Sequence, residues 1–286
     1  MPSFSCVNSP ACWLHQKFDL MKNQKVKLLM CPPDQYAIRY VINPWMKLSR
    51  PSDPVRADRQ WKNLFDILTG LNCEIHLIKP VKGLPDMVFT ANAGLPVNNR
   101  VFLSRFRHKE REAEAIHFKQ WFEKQGLHVI DMPPGIFFEG AGDALFAGNT
   151  LYAAHRFRSD IRAHSLIAET LGVQVLSLEL AKKRFYHLDT CFAPISSKSV
   201  LYYPPAFDRY GQKVIEENIP DPIPVPKSEA ERFVCNAIVI GQDVIIHQRC
   251  PETVKLLTDR GYRIHEANLS EFIKAGGSAK CLTLQI

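Results

Sequence analysis

Three kinds of side chain that together perform covalent catalysis are spaced regularly along the chain: a thiol, an imidazole and a carboxylate. They belong to Cys281, His187 and Glu139, and the amides of Asn92 and Asn43 follow the same spacing. A thiolate can attack an electrophilic carbon, an imidazole can move protons, and a carboxylate can orient and charge the imidazole. Singly, each residue has an ordinary structural interpretation, as a buried cysteine, a core histidine or a turn-capping glutamate. The shared spacing favours one common site.

The spacing reflects an internal repeat. Positions 92, 139, 187, 236 and 281 lie 47, 48, 49 and 45 residues apart, and position 43 lies 49 residues before position 92. Apolar runs flank turns at 97–100, 147–149 and 241–243, which predicts hairpins. Helical patterns are predicted between the hairpins over 61–68, 110–125, 159–171 and 252–259. Gly70 is expected to end the first of these helices, Ser159 to cap the third and Gly172 to follow its end.

The repeating unit is therefore a hairpin, a helix and a further strand, which predicts an α/β propeller around a central axis. The last repeat has no hairpin partner after Gln285, so the strand beginning at Val26 is expected to close the ring. Residues 25–286 are assigned to this single propeller domain. Residues 1–24 are assigned to an N-terminal extension, which is a candidate for disorder.

Residues at the same phase of a closed ring converge at one end of its axis, so the five catalytic candidates are expected to meet there. The segment preceding Cys281 contains Gly276, Gly277 and Ser278, whose small size allows a ligand to approach the backbone closely. Lys280 precedes the cysteine directly and is expected to help lower the pKa of its thiol.

Composition excludes several other classes of protein. The 286 residues are 46% hydrophobic and 23% charged, as in soluble globular proteins, and no stretch has the apolar length of a membrane span. The formal charge of +7 is scattered without a basic run, so no nucleic-acid partner is expected. The eight cysteines form no C-x-x-C pair and HExxH is absent, so neither a metal nor another cofactor is expected. Because the N-terminus lacks the apolar core of a secretory signal, we expect a cytoplasmic protein of undetermined oligomeric state.

Four motifs in this order resemble the guanidino-group-modifying enzymes, namely arginine deiminase, dimethylarginine dimethylaminohydrolase and the amidinotransferases. The motifs are LPDMVF from Leu84, EGAGDAL from Glu139, HLDTCF from His187 and GGSAKC ending at Cys281. The resemblance covers residues 26–285. It implies a five-bladed α/β propeller, the pentein fold, and a small-molecule substrate that carries a guanidino group.

The resemblance also implies a role for each matching residue. Cys281 would attack the guanidinium carbon to form a covalent thiouronium intermediate, and His187 would protonate the departing amine and then activate water. Glu139 would hold and charge His187, while Asp86 would bind guanidinium nitrogens. Two arginines one repeat apart would hold the amino-acid end of the substrate, with a solvated helix face as the structural alternative; they are Arg111 and Arg158.

One departure from the deiminases and dimethylarginine hydrolases is Asn92, where those enzymes place a carboxylate. A carboxylate repels the ureido oxygen of citrulline, whereas an amide can donate a hydrogen bond to it. A site with Asn92 could therefore retain citrulline and hydrolyse it further to ornithine, carbon dioxide and ammonia. TANAG around Asn92 and INPWM around Asn43 are similar to the arginine dihydrolase subgroup.

Arginine dihydrolase is accordingly the first hypothesis. Arginine deiminase and dimethylarginine dimethylaminohydrolase, both of which yield citrulline, are alternatives within the same class. Modification of arginine in proteins would require that residues 45–56 leave the site open. A non-catalytic pentein used as a binding module, as in a ribosome anti-association factor, is the alternative from another class. The joint presence of Cys281, His187, Glu139 and Asp86 argues against it.

Overall fold

A computed structural model describes residues 25–286, and these form five three-stranded sheets. The strands are β1 (Lys27–Met30), β2 (Glu74–Leu77), β3 (Gly94–Val97), β4 (Arg100–Leu103), β5 (His128–Ile130), β6 (Ala144–Ala147), β7 (Thr150–His155), β8 (Val175–Glu179), β9 (Phe192–Pro194), β10 (Ser199–Tyr202), β11 (Asp221–Pro224), β12 (Ile238–Ile240), β13 (Asp243–His247), β14 (Arg263–Ala267) and β15 (Leu284–Gln285). The prediction for residues 1–24 falls outside the described residues, so a domain boundary at residue 25 stays a prediction.

The α-helices lie between the strands. They are α1 (Pro54–Gly70), α2 (Lys109–Glu112), α3 (Glu114–Lys124), α4 (Ile161–Leu171), α5 (Arg209–Asn218), α6 (Lys227–Ala230), α7 (Pro251–Asp259) and α8 (Ser270–Ile273). Helix α1 begins where the Asp53 carboxylate accepts bonds from two free backbone amides, with Pro54 at its first position. It ends at Gly70, as predicted, and buries a face that includes Trp61 and Leu64. No described helix is long and apolar enough to cross a membrane.

Two predicted helices differ from the sequence-based expectation. The helix predicted over 110–125 is two helices, α2 and α3, which meet at Ala113. Ser159 does not cap α4, because the N-cap residue is Asp160. The Ser159 hydroxyl instead donates to Asp143 at 2.6 Å and accepts from the Glu139 amide at 2.9 Å. The Ser159 hydroxyl therefore satisfies two buried polar groups and does not bond to the free amides at the start of α4.

Every sheet has the same topology, in which the middle strand pairs antiparallel with one neighbour and parallel with the other. The antiparallel pairs are the predicted hairpins β3–β4, β6–β7, β9–β10 and β12–β13. The first turn residue has positive φ in three of them, at Asn98, Gly148 and Gly241. Glycine and asparagine adopt this conformation most easily, which explains the turn sequences. The parallel third strand follows a helical crossover, as the hairpin–helix–strand repeat predicted.

The fifth sheet joins the two ends of the repeat. Strand β15 pairs antiparallel with β1, and Leu29 lies opposite Leu284. The predicted closure by the strand after Val26 is therefore confirmed. Because β15 follows Cys281 directly, this closure places the last repeat beside the first.

The segments that enter the first strands of the hairpins meet around the axis. Asn92 lies in the 3-10 helix Thr90–Ala93, and Cys281 lies in Lys280–Leu282. Glu139 and His187 immediately precede the 3-10 helices Gly140–Gly142 and Leu188–Thr190. The predicted convergence is thus confirmed for these four residues. Asn43 differs: it lies in the loop after the middle strand β1 of the closing blade, whose entry position is occupied by Cys281.

Candidate active site

A small buried cavity of about 10 Å³ lies where these entry segments meet. Six of the eight predicted site residues line it, namely Asn43, Asp86, Asn92, Arg111, Arg158 and Cys281. The other two, His187 and Glu139, lie directly behind Asn92. Gly142 lies between Asn92 and His187, since a methyl group at Gly142 would collide with the Asn92 amide and contact the His187 ring. The fold therefore brings all eight residues to one place, four of them through the phase of the repeat.

The Cys281 thiol is buried and held by the neighbouring blade. Asn236 accepts a bond from the Cys281 backbone amide at 3.1 Å, and its own amide donates to Cys281 Sγ at 3.0 Å. The thiol in turn donates to Asp189 Oδ2 at 3.2 Å. Burial, and next the charge of Asp189, raise the pKa of the Cys281 thiol well above its usual value. Burial also raises the pKa of the Asp189 carboxyl, to about 6.

The pKa of the Cys281 thiol is raised and not lowered, contrary to the expectation drawn from the adjacent Lys280. Its ammonium points away from the cavity and makes one contact of 3.5 Å, with the Thr283 carbonyl oxygen. The thiol pKa is raised because burial and Asp189 outweigh the cation. Adjacent residues in a 3-10 helix project in different directions, so sequence adjacency was a poor guide.

His187 is fixed by a charged partner, as the resemblance implied. Its Nε2 lies 2.7 Å from Glu139 Oε2, and that oxygen also accepts a bond of 2.9 Å from Arg158 Nη1. Burial alone would raise the pKa of the Glu139 carboxyl. Arg158 and His187 outweigh burial and hold this pKa below its ordinary value. The ionised Glu139 carboxylate therefore holds the His187 ring in place through this 2.7 Å contact.

The opposite wall of the cavity contains Asp86 and Asn92. Asp86 is 2% exposed, and its Oδ1 has no hydrogen-bond partner among the described residues. Burial raises the pKa of this carboxyl, and Arg111 and then the nearby Tyr40 hydroxyl oppose the shift. Asn92 Oδ1 accepts a bond of 2.9 Å from Arg111 Nη1. The wall thus presents an unpaired carboxylate oxygen and an amide to a ligand.

The two arginines differ in position. Arg111 forms a two-pronged bond with the buried Glu114 carboxylate, at 2.9 and 2.8 Å, and adjoins the end of the cavity that contains Asp86. Arg158 stacks on the Tyr186 ring at 4.6 Å and also lines a second, outer cavity of about 460 Å³. The outer cavity is basic, with Arg107, Arg156 and Lys183 in its wall. It shares Ile42, Asn43, Arg158 and Tyr186 with the inner cavity, so the two are adjacent.

The loop that contains Asn43 covers the inner cavity. The Asn43 side chain donates to the Ala275 carbonyl at 2.9 Å and accepts from the Trp45 amide at 2.9 Å. Trp45 packs against Phe233 at 4.7 Å, and Met46 lines the cavity. The start of the segment 45–56, whose position the sequence left open, is thus closed over the site.

Three residues near the thiol or the arginines were not among the predicted site residues. They are Asp189, Asn236 and Glu114. Asp189 lies in the HLDTCF motif, two residues after His187, and Asn236 occupies the same phase of the repeat as Cys281. Motif and phase were therefore sufficient signals for both. Glu114 gives no such signal, because its contact with Arg111 follows from helix α3 starting at that residue.

Known proteins share this sequence and architecture. The family model described as N,N dimethylarginine dimethylhydrolase, eukaryotic, matches residues 43–286. The bifunctional arginine dihydrolase/ornithine cyclodeaminase ArgZ of Synechocystis sp. is 50% identical over 268 residues, which are 91% of this chain and 38% of that protein. The chain thus spans well under half the length of this relative. The N(G),N(G)-dimethylarginine dimethylaminohydrolase of Mycobacterium tuberculosis is 38% identical over 90% of this chain and 84% of its own.

Solved structures agree with the sequence matches. The N-terminal domain of ArgZ, a cyanobacterial arginine dihydrolase solved as a cysteine-to-serine variant bound to substrate, superposes with a TM-score of 0.88 at 47% identity. The superposition covers 91% of this chain and 98% of that domain. The predicted five-bladed α/β propeller and the predicted guanidino-modifying superfamily are thereby confirmed. With residues 43–286 matched and the site assembled by the repeat, this chain belongs to the N,N-dimethylarginine dimethylhydrolase family.

Proposed function

We propose that this chain is an arginine dihydrolase, which converts free L-arginine to ornithine, carbon dioxide and two molecules of ammonia. The observation that carries the proposal is the pairing of Cys281 with a neutral amide, Asn92, in one closed cavity where Asp86 is the single lining carboxylate among residues 25–286. The names of relatives at 45–50% identity, arginine dihydrolase/ornithine cyclodeaminase, support it.

In the first step the positive charge of the substrate balances the buried acidic groups of the site. The guanidinium pairs with the unpartnered oxygen of Asp86 and lies beside the Cys281–Asp189 pair. A cation there lowers the thiol pKa that burial has raised, so the proton leaves Cys281 when substrate binds. The thiolate attacks the guanidinium carbon, and His187 delivers a proton to the departing ammonia. The product of this step is a thiouronium bound to Cys281.

Water then releases the intermediate. After giving up its proton, His187 is the base that activates water, and the ionised Glu139 offsets the positive charge the ring gains. Addition of water and loss of the thiolate yield citrulline. The Asn92 amide donates to the ureido oxygen of citrulline, which retains it for a second attack by Cys281. In the second cycle the thiolate attacks the ureido carbon, the terminal C–N bond breaks to release ammonia, and a thiocarbamate that still carries the ornithine nitrogen remains on Cys281. Water cleaves its C–S bond to regenerate the thiolate and release N-carboxyornithine, which decomposes to carbon dioxide and ornithine.

The amino-acid end of the substrate extends toward the outer cavity. Arg158 borders both cavities, and the basic side chains around it suit a carboxylate. Arg111 lies at the guanidino end, so its contribution is to orient Asn92 rather than to bind the distant carboxylate. The closed loop over the inner cavity favours a free amino acid over arginine within a protein.

The test is a product assay with L-arginine that resolves citrulline, ornithine and ammonia. We expect ornithine and ammonia in a ratio of one to two, and no product from Cys281→Ala. Cys73→Ala is the matched control, since Cys73 is also a buried free cysteine but lies outside the cavity. Citrulline as the sole end product would replace the proposal with a deiminase. Turnover of methylated arginine alone would identify a dimethylarginine hydrolase, and no turnover of any guanidino compound would favour a binding module.

A further inference from the structure

A second cavity lies along the propeller axis, apart from the active site. It has a volume of about 500 Å³, within the roughly 300–1,000 Å³ that ligand sites usually enclose. Each inner strand contributes apolar residues to its wall, represented by Leu95, Ala144, Ala193, Ile238 and Leu284. The wall shares no residue with the inner cavity that contains Cys281. The proposed reaction gives this axial cavity no role.

One charged side chain lies in this apolar wall, that of Lys280. It forms no ion pair within 4.0 Å in the part of the chain described, and its only hydrogen bond is the 3.5 Å contact with the Thr283 carbonyl. Burial lowers the pKa of its ammonium, and Asp189 only partly opposes that shift. Ammonium groups at apolar sites normally have an anionic partner, because removing their water is costly. Among the described residues, Lys280 has no anion within salt-bridge distance, and Asp189 and Cys281 act on it only through space.

We propose that the axial cavity binds an amphipathic carboxylate, with the hydrocarbon part against the inner strands and the carboxylate on the Lys280 ammonium. The apolar wall excludes strongly hydrated anions such as phosphate, which would lose water without gaining partners. A charge-assisted hydrogen bond from Lys280 satisfies the carboxylate, and burial of the chain supplies the rest of the affinity. The ligand class follows from this combination of one cationic side chain with a mostly apolar wall, whose other polar side chains, Asn98, Thr283 and Gln285, are neutral.

Such a ligand would also contact the catalytic segment indirectly. Lys280 is covalently adjacent to Cys281 and interacts electrostatically with both Asp189 and Cys281. A carboxylate on the axial side would neutralise part of the Lys280 charge and so weaken its stabilising effect on the Asp189 carboxylate. The axial cavity is thus positioned to modulate the active site, although its ligand does not enter it.

The experiment measures binding of octanoate and of the uncharged octanol to the full chain by isothermal titration calorimetry, without arginine. We expect octanoate to bind more tightly than octanol by about tenfold, as a charged hydrogen bond provides. Lys280→Met should remove this preference and leave octanol affinity within about twofold. Val239→Glu, which places a carboxylate in the same wall, should weaken octanoate and not octanol. Thermal melting of each variant establishes that it is folded.

Equal affinity for acid and alcohol, or an unchanged preference in Lys280→Met, would overturn the proposal. Octanoate binding that appears only after deletion of residues 1–24 would also overturn the proposal, because that segment would then be what occupies the axial cavity. A dimer that octanoate cannot dissociate would assign the axial cavity to a second copy of the chain, and this result too would overturn the proposal. Because no arginine turnover is measured, these outcomes are independent of the dihydrolase proposal.

Discussion

Arg111 fixes the orientation of Asn92, donating a hydrogen bond of 2.9 Å from Nη1 to Asn92 Oδ1. The guanidinium cannot rotate away, because Glu114 and the Asp86 carbonyl oxygen hold its remaining nitrogens. The Asn92 amino group therefore faces away from Arg111, where its nearest acceptor is the Glu139 carbonyl at 3.4 Å. That contact is long, so the amino group keeps donor capacity for a ligand. Arg111 thus determines which way the Asn92 amide points.

Asn92→Asp should change the product of the reaction. The new carboxylate would pair with Arg111 and present an acceptor where the amide presented a donor, so citrulline would be repelled. We expect citrulline to accumulate and ornithine formation to fall at least about tenfold, the effect of one lost or repulsive charged contact. Chromatography of products over time measures the ratio. Asn98→Asp, in an exposed hairpin turn, is the control. An unchanged ornithine yield in Asn92→Asp would contradict the proposed role.

Glu139→Gln should lower both activity and stability. It removes the charge that faces His187 and leaves Arg158 buried without an anion, so we expect a loss of about 3–5 kcal/mol in the free energy of unfolding. Catalysis should fall by about 10²–10⁴-fold, the usual contribution of an acid–base group. Urea denaturation and initial rates measure the two effects. Glu179→Gln, an exposed partner of Arg156, should change stability by less than about 1 kcal/mol.

The stability difference between wild type and Glu139→Gln should depend on pH in a defined direction. The folded-state pKa of Glu139 lies below its unfolded value of about 4.3, so its ionised form stabilises the fold above that pH. The difference should be constant from pH 5 to 7 and shrink as pH falls below about 4.3. Denaturation curves at several pH values test this. A difference that grew on acidification would reverse the assigned sign.

Alkylation of Cys281 should accelerate with pH in the absence of substrate. Because burial and Asp189 raise the thiol pKa, the reactive thiolate is scarce at neutral pH and increases about tenfold per pH unit. We expect no plateau in the iodoacetamide rate up to pH 8.5, measured on the Cys281 peptide by mass spectrometry. Glutathione in the same tube provides the reference rate. A plateau below pH 8 would show that the free site already lowers this pKa.

Gly142→Ala should impair catalysis by steric displacement. The added methyl group would collide with the Asn92 amide and lie in ordinary contact with the His187 ring, and shifts of about 1 Å can cost roughly 10²-fold in rate. Gly70→Ala is a matched substitution, because a methyl group there meets no atom within 4 Å. Steady-state rates for both variants, with melting temperatures, separate displacement from unfolding. Full activity in Gly142→Ala would exclude the tight packing described.

The sequence by itself determined the repeat, the ring and most of the site. Hairpin turns and a period close to 48 residues are local signals, and ring closure turns equal phase into spatial proximity. Cys281, His187, Glu139 and Asn92 could therefore be placed together although 45 or more residues separate their segments along the chain. The chemical meaning of each motif came from its resemblance to the guanidino-modifying enzymes.

Only the tertiary structure decided which charges face one another. The sequence made Lys280 a partner of the Cys281 thiol, but a 3-10 turn directs the lysine toward the axial cavity and leaves the thiol facing Asp189. It placed Asn43 by phase, whereas the closing blade delivers that residue from a covering loop. A period specifies which backbone segments meet, but side-chain direction and burial set the pKa values. Side-chain direction and burial depend on contacts with the neighbouring blades, so the sequence of one repeat does not predict them.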